Sequence, residues 1–430
     1  MKQIEVFDGN SLLSFPTKYP VKTPMTFFVG IDNAGKKLYL PLDNSILSKH
    51  ILFLGGIGTG KTNAFFHVLT QLQKNLTEND VVIIFDTKGD FYREYYTSGD
   101  VVISNDEHAT GSDGIDYWNI FNEIENDDRV EEAVVEIAKS LFRAKIEKTN
   151  QPFFPNAAKD IFSAVLTHFV RNPDEQPNNQ KLRSFLDLST SSDIRSMLQK
   201  YPEFKAMTSY IADDRSPQTQ GVLSELQQLV REIFIGNFKK PGNLSMRQLV
   251  RAKQGRKIFI EYDLGIGNML TPIYSLLIDL AIKEALSRQK SEGNVYIIAD
   301  EFSLLPNLYH IDDAVNFGRS LGTKLMIGIQ NVDQIFDAYG EYRARSILSG
   351  FLTTVCFRVG DQHSKTFISE LYGRNRKKET FLSTVQNRGI VENVRDAYVV
   401  EDWDISTLGI GDAIIGLPGI MPFKFHFDEY

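Results

Sequence analysis

Residues 55–62 read Gly55-Gly56-Ile57-Gly58-Thr59-Gly60-Lys61-Thr62 and fit the pattern G-x-x-x-x-G-K-[ST]. The flanks give the octet its meaning. Ile51-Leu52-Phe53-Leu54 before it is an apolar run suited to a buried parallel strand. Ala64, Phe65, Val68, Leu69, Leu72 and Leu76 after it recur at helical spacing. Strand, glycine loop and helix bring successive backbone N–H groups and a helix N-terminus onto one anion. On this reading Gly55, Gly56, Gly58, Thr59, Gly60 and Asn63 line the phosphates, Lys61 reaches the β- and γ-phosphates, and Thr62 offers its hydroxyl to Mg²⁺. A chance glycine-rich turn lacks both flanks, so the octet implies a bound nucleoside triphosphate.

Hydrolysis needs further groups, and two more strands supply candidates. Residues 294–307, NVYIIADEFSLLPN, form an apolar strand ending in Asp300-Glu301, where an open α/β sheet presents ligand-facing groups. Asp300 suits the Mg²⁺ shell through a bound water, and Glu301 is the candidate to polarise an attacking water. An isolated Asp-Glu pair would read as a solvated strand end; the glycine loop is what gives it this role. Lys324-Leu325-Met326-Ile327-Gly328-Ile329 ends in Gln330, and a buried amide without a partner costs about 1–3 kcal/mol. The γ-phosphate or the lytic water is such a partner, so Gln330 reads as a sensor of nucleotide state. Arg319, in Gly318-Arg319-Ser320, precedes this strand. It could stabilise charge on a neighbouring subunit's nucleotide, or be a surface arginine at a helix end.

Composition sets limits. The chain has 430 residues, 42% hydrophobic and 24% charged, an ordinary globular balance that admits one large domain with an insertion or two to three domains. No run of about eighteen apolar residues is free of charge, so no spanning segment is expected. The start, MKQIEVFDGN, lacks a signal-peptide core, and the cytoplasm is the expected compartment. The single cysteine, Cys356, lies in an apolar run and reads as a small hydrophobe. The seven histidines show no metal-ligand spacing, so no structural zinc is expected. A net charge of −8 excludes a global basic footprint for nucleic acid. DNA contact would come from local clusters or from a channel formed on assembly. Arg374-Asn375-Arg376-Lys377-Lys378 is the densest such cluster, with a solvated loop as the competing reading; Lys88 and Lys239-Lys240 are further candidates.

The pattern divides the chain into four stretches. Residues 1–49 are β-rich, with a hairpin over Phe27-Phe28-Val29-Gly30-Ile31 and Lys37-Leu38-Tyr39-Leu40. Residues 50–121 form the first part of an α/β motor domain and residues 243–430 the second, closed at the sheet edge by residues 412–419. Between them, residues 122–242 lose strand-like runs. Stripes such as Val130, Ala133, Val134, Ile137, Ala138 and Leu141 mark an inserted all-α domain.

The strings HILFLGGIGTGKT, IFDTKGDF, IIADEFSLLP, FGRSLGTKLMIGIQ and GDAIIGLPGIMPF, in this order, resemble the type IV coupling proteins. These are the TraG/TraD-like ATPases of conjugation, within the FtsK/HerA group of DNA pumps, and the likeness runs from Phe27 to Phe425. It implies a RecA-like P-loop NTPase fold with a central mostly parallel sheet, ATP as the nucleotide, and a homohexameric ring with nucleotide at subunit interfaces and DNA through its centre. It further implies that Lys61 and Thr62 bind phosphate and Mg²⁺, that Asp300 and Glu301 form the hydrolytic pair, and that Gln330 is the sensor and Arg319 the finger. The all-α insertion is similar to the family's all-α domain, associated with substrate or relaxosome contacts, and secretion-channel proteins are further partners the resemblance implies. Lys49-His50 falls where relatives often carry arginine and histidine. One departure is the lack of the transmembrane helices with which anchored members begin: either a separate partner recruits the chain to the inner face of the membrane, or the pump serves something other than secretion. A DNA-processing or defence-associated HerA-like pump with a nuclease partner, and a nucleotide-gated cargo adaptor, are the alternatives.

Overall fold

The computed structural model describes residues 3–15, 21, 23–32, 34–105, 116–125, 127–287, 293–382 and 390–430. Its contacts separate two compact units. The first comprises Met1–Thr77, Glu292–Ser303 and Asp312–Tyr430, the second Glu78–Ser291 and Leu304–Ile311. In chain order the first unit opens with β1 (Gln3–Asp8), β2 (Pro24–Ile31), β3 (Lys37–Asp43) and β4 (Ile51–Leu54). The second contributes β5 (Val81–Asp86), β6 (Val101–Ile103) and β7 (Lys257–Glu261). The first then resumes with β8 (Val295–Ala299), β9 (Thr323–Ile329), β10 (Thr353–Cys356), β11 (Arg374–Leu382), β12 (Ile390–Tyr398), β13 (Asp412–Gly416) and β14 (Phe423–His426).

Within the first unit the strands run β14-β13-β10-β4-β9-β8. β10, β4, β9 and β8 are parallel, while β13 and β14 run antiparallel. Every residue of β4, β8, β9 and β10 is buried, the pattern of strands covered on both faces. The helix Lys61–Leu72 buries Ala64, Phe65, Val68, Leu69 and Leu72, with the Phe65 ring 4.2 Å from that of Phe53 on β4. The expected hairpin is β2 with β3. The edge is closed by β14 rather than by residues 412–419, because β13 pairs on both sides.

A three-stranded antiparallel sheet, β1-β11-β12, departs from the sequence reading. Residues 374–378 are not a loop: they open β11, between the chain's first strand and β12. Three of their charges are met by acidic neighbours, while Arg374 donates to Tyr398 OH at 3.2 Å. Arg376 lies 3.7 Å from Asp396, Lys377 3.2 Å from Glu401, and Lys378 2.6 Å from Glu392. Cross-strand ion pairs replace the alternation of apolar residues by which a strand is ordinarily recognised.

In the second unit β6, β7 and β5 form parallel pairs. Among the described residues no strand lies between Ile103 and Lys257, a stretch built from helices that include Val130–Lys148, Phe153–Arg171, Asn179–Leu188 and Pro217–Ile233. Phe142 and Phe162 join the first two at a ring separation of 5.7 Å. Glu123 is fully buried and accepts from Trp118 Nε1 at 2.8 Å, Ser245 Oγ at 3.0 Å and the Met246 amide at 2.5 Å, so it caps the helix Met246–Ala252. Burial raises its carboxyl above the ordinary range despite these donors. No helix of the described residues is long and apolar enough to cross a membrane.

Candidate functional site

The parallel register fixes what meets at the carboxyl edge of the first unit's sheet. Cys356, Leu54 and Ile329 end their strands side by side. The loop that follows Leu54 is stitched to both neighbours: Gly55 N–H donates to Ile329 O at 3.2 Å and Gly56 N–H to Arg358 O at 2.9 Å. Glycine is required at two points. Gly60 sits at φ +112, and a Cβ on Gly55 would lie 2.6 Å from Phe357 Cβ. Thr59 Oγ1 donates to Gly56 O at 2.8 Å and tightens the turn.

Intrahelical bonding in Lys61–Leu72 starts with Ala64 N–H to Gly60 O at 3.1 Å, and Gly60 offers no side-chain cap. The first-turn amides therefore face the loop as an anion cradle. Lys61 Nζ lies across the cradle, donating to Gly55 O at 2.5 Å and Gly56 O at 3.1 Å. Thr62, half-buried, occupies the second helical position. The side chain of Asn63 is committed elsewhere. Its Nδ2 donates to Asp428 O at 2.8 Å and its Oδ1 accepts from Tyr430 N–H at 2.9 Å, so only its main chain belongs to the cradle.

Next to the loop strand, β8 and β9 bring the predicted carboxylate and carboxamide together. Gln330 Nε2 donates to Glu301 Oε2 at 2.7 Å, and Ser303 Oγ donates to Glu301 Oε1 at 2.9 Å. Each carboxylate oxygen keeps a second lone pair for a further donor. Asp300 is buried at the end of β8, 8% exposed. Its main chain approaches β9 so closely that a Cβ on Gly328 would lie 2.3 Å from Asp300 O. Gly328 thus sets the gap between Asp300 and the Gln330 strand. A lone glycine in the apolar run Leu325-Met326-Ile327-Gly328-Ile329 is a signal of close backbone approach, and sequence reasoning passed over it. A threonine hydroxyl and a buried carboxylate are hard oxygen donors, so Thr62 and Asp300 fit a Mg²⁺ ion.

Arg319 lies at the other end of β9. It is exposed, in the short 3₁₀ turn Gly318–Leu321 that leads into the strand, and makes no hydrogen bond or ion pair among the described residues. The seven-residue strand between it and Gln330 spans about 20 Å, so Arg319 and the glycine loop stand at opposite edges of the sheet. His50 is buried at that same amino edge. Its Nδ1 accepts from Leu325 N–H at 3.0 Å, and burial lowers its pKa to about 4, which marks it as a neutral structural link. Lys49 is half-buried, whereas Lys88 and Lys239 are exposed. Lys240 Nζ donates to Tyr117 OH at 3.2 Å. Cys356 is buried, and its thiol is pushed up to about 12 by burial.

Comparison with known proteins places the fold. The coupling protein TraD of Escherichia coli K12 is 22% identical over 389 residues, 89% of this chain and 51% of TraD. The chain spans about half the length of the curated relatives it matches. The plasmid coupling protein TrwB bound to the non-hydrolysable ATP analogue ADPNP superposes with a TM-score of 0.75 at 19% identity, over 99% of this chain and 95% of TrwB. TrwB with ADP and Mg²⁺ gives 0.69 at 18%, over 96% of both. The fold is that of TrwB: a RecA-like P-loop architecture with a mostly parallel sheet and a helical part. A family model described as the type IV secretion-system coupling protein DNA-binding domain matches residues 37–398, most of the sequence, and the chain belongs to that family.

Proposed function

We propose that this chain is the ATP-hydrolysing motor of a conjugative type IV coupling protein, turning ATP cleavage into movement of DNA. The observation that carries the reading is the 2.7 Å hydrogen bond between Gln330 and Glu301, on strands whose neighbour bears the glycine loop. Lys61 leaves its two loop carbonyls for the β- and γ-phosphates, and the first-turn amides hold the remaining phosphate oxygens. Mg²⁺, held by Thr62 and through a water by Asp300, would neutralise charge on the phosphates. Glu301 takes the proton of the attacking water while Gln330 orients the carboxylate and reports the γ-phosphate. Arg319, too far from its own loop, acts on the next subunit's nucleotide in a head-to-tail homohexamer. The helices of residues 122–242 are assigned to cargo or relaxosome contact, and a membrane partner recruits the motor.

DNA contact is sequence-tolerant on this reading, and Lys88 and Lys239 fit it better than 376–378, whose charges are already paired. ATP turnover with and without single- and double-stranded DNA, with particle size followed in parallel, tests the proposal. DNA-stimulated turnover in a hexamer-sized particle is expected. Turnover indifferent to DNA would favour a nucleotide-gated adaptor.

A further inference from the structure

The two ends of a nucleotide on a glycine loop are not interchangeable. Loop amides take the α- and β-phosphates, while the lysine and the following hydroxyl face the β- and γ-phosphates and the metal. Here Glu301 and Gln330 stand on the β8–β9 flank of the loop strand. A triphosphate whose γ end meets them must send its nucleoside half out over the opposite flank, that of β10 and β13.

On that flank the turn of residues 409–412 is seated directly on the loop. Gly411 N–H donates to Thr59 O at 3.0 Å, and a Cβ on Gly60 would meet Gly411 Cα and N at 3.3 Å. Gly411 adopts φ +80, which lets the turn approach so closely. The turn is braced from behind: Phe427 N–H donates to Gly411 O at 2.9 Å, and Gly409 N–H to Asp412 Oδ2 at 2.7 Å. Asp412 Oδ1 holds His426 Nδ1 at 2.6 Å, with the ring Cε1 3.5 Å from where a Cβ on Gly411 would be. At the tip of this rigid turn Ile410 is 71% exposed. The anchoring of Asn63 by Asp428 and Tyr430 brings the chain's last residues past the same side of the helix.

We propose that the 409–412 turn, with Ile410 at its tip and the Asp412–His426 pair behind it, is the wall against which the nucleoside half of the bound nucleotide lies. The inference rests on the nucleotide-binding reading above and adds its purine-facing side. A branched apolar side chain held out in water beside a phosphate cradle is matched by the flat face of a heteroaromatic base. Ile410 offers that base neither donor nor acceptor, so the wall binds adenine and guanine alike. Discrimination between ATP and GTP stays within about threefold, since hydrogen-bonded readout is what separates similar ligands more strongly.

Titration calorimetry with Mg²⁺ and three probes, ATP, GTP and inorganic tripolyphosphate, tests the wall in the full chain. Ile410→Ser should weaken ATP and GTP by about tenfold, the scale of one apolar side chain removed from a binding surface, and leave tripolyphosphate unchanged. Lys61→Ala should lose all three. Equal losses for ATP and tripolyphosphate in Ile410→Ser would make the turn a mere brace for the loop, and no loss at all would put the nucleoside elsewhere. A wild-type protein that binds none of the probes removes the nucleotide site itself and the wall with it.

Discussion

Glu301 and Glu136 are both half-buried carboxylates, and their partners differ in kind. Glu301 is held by two neutral donors, Gln330 and Ser303. Glu136, in the helix Val130–Lys148, holds Arg247 at 2.9 Å and Lys283 on one oxygen and faces His310 Nε2 at 3.6 Å with the other. The opposite nitrogen of that ring, Nδ1, lies 3.1 Å from Asp279, whose Oδ1 also accepts the His310 amide at 2.9 Å. Two carboxylates on two different nitrogens suit a doubly protonated imidazolium, not a shared metal ion, which would need lone pairs converging on one point. The second cluster is closed: each carboxylate already faces a cationic partner. Among the described residues the first is held by neutral donors alone, so its hydrogen bonds can be redrawn when phosphate and water arrive. The same contrast separates Arg319, which is exposed and makes no hydrogen bond or ion pair among the described residues, from the cross-paired cations of β11.

The largest test of that contrast replaces the open cluster. Glu301→Gln should keep ATP affinity while turnover falls by a factor of about 10² or more, read by steady-state phosphate release. Unchanged turnover would make Glu301 as structural as Glu136. Gly328→Ala comes next. The added methyl meets Asp300 O, so the strands must part, at a cost of about 1–3 kcal/mol, and turnover should fall well beyond the loss of folded protein.

The closed cluster predicts a pH effect on stability rather than on chemistry. Burial alone would lower the His310 pKa, but the Asp279 hydrogen bond and the charges of Asp279 and Glu136 outweigh it, and the net shift is upward from about 6.5. A raised pKa means that the folded state binds more protons than the unfolded one just above that value. The stabilisation is fully present below about pH 6.5 and lost as pH rises through the folded pKa. The Tm difference between wild type and His310→Gln should therefore be widest near pH 6 and shrink on going alkaline, a trend that a difference constant in pH would contradict. His50, lowered to about 4, works with the opposite sign and destabilises the protein as pH falls below 6.5. The smallest effect belongs to β11: Arg376→Ala with Lys378→Ala should cost no more than about 1 kcal/mol per pair and leave the salt dependence of DNA binding unchanged. A flatter salt slope would return that strand to the DNA path.

Much of the first unit was legible because its information is local. An apolar run, a glycine octet and a carboxamide at a strand end each declare themselves within a dozen residues, and parallel register then brings Gly55, Gln330 and Glu301 to one edge. What escaped depends on pairing across the chain. The run 374–378 was open to a solvated-loop reading because the partners of Arg376, Lys377 and Lys378, namely Asp396, Glu401 and Glu392, lie 14 to 24 residues further on, and β1 pairs with β11 across more than 360 residues. The commitment of the Asn63 side chain to Asp428 and Tyr430 was hidden for the same reason. Arg319 was found by its motif, but its distance from its own loop follows only from the direction of β9.

Single-turnover hydrolysis of ATP by wild type and Gln330→Ala, with DNA saturating, bears most squarely on the Glu301–Gln330 pair as the hydrolytic switch. ATP affinity should agree within about threefold while the rate of the chemical step drops by about 30-fold or more, the scale of losing one preorganised polar group at a reacting centre. Equal single-turnover rates would mean that the 2.7 Å bond between Gln330 and Glu301 has no part in cleaving the nucleotide.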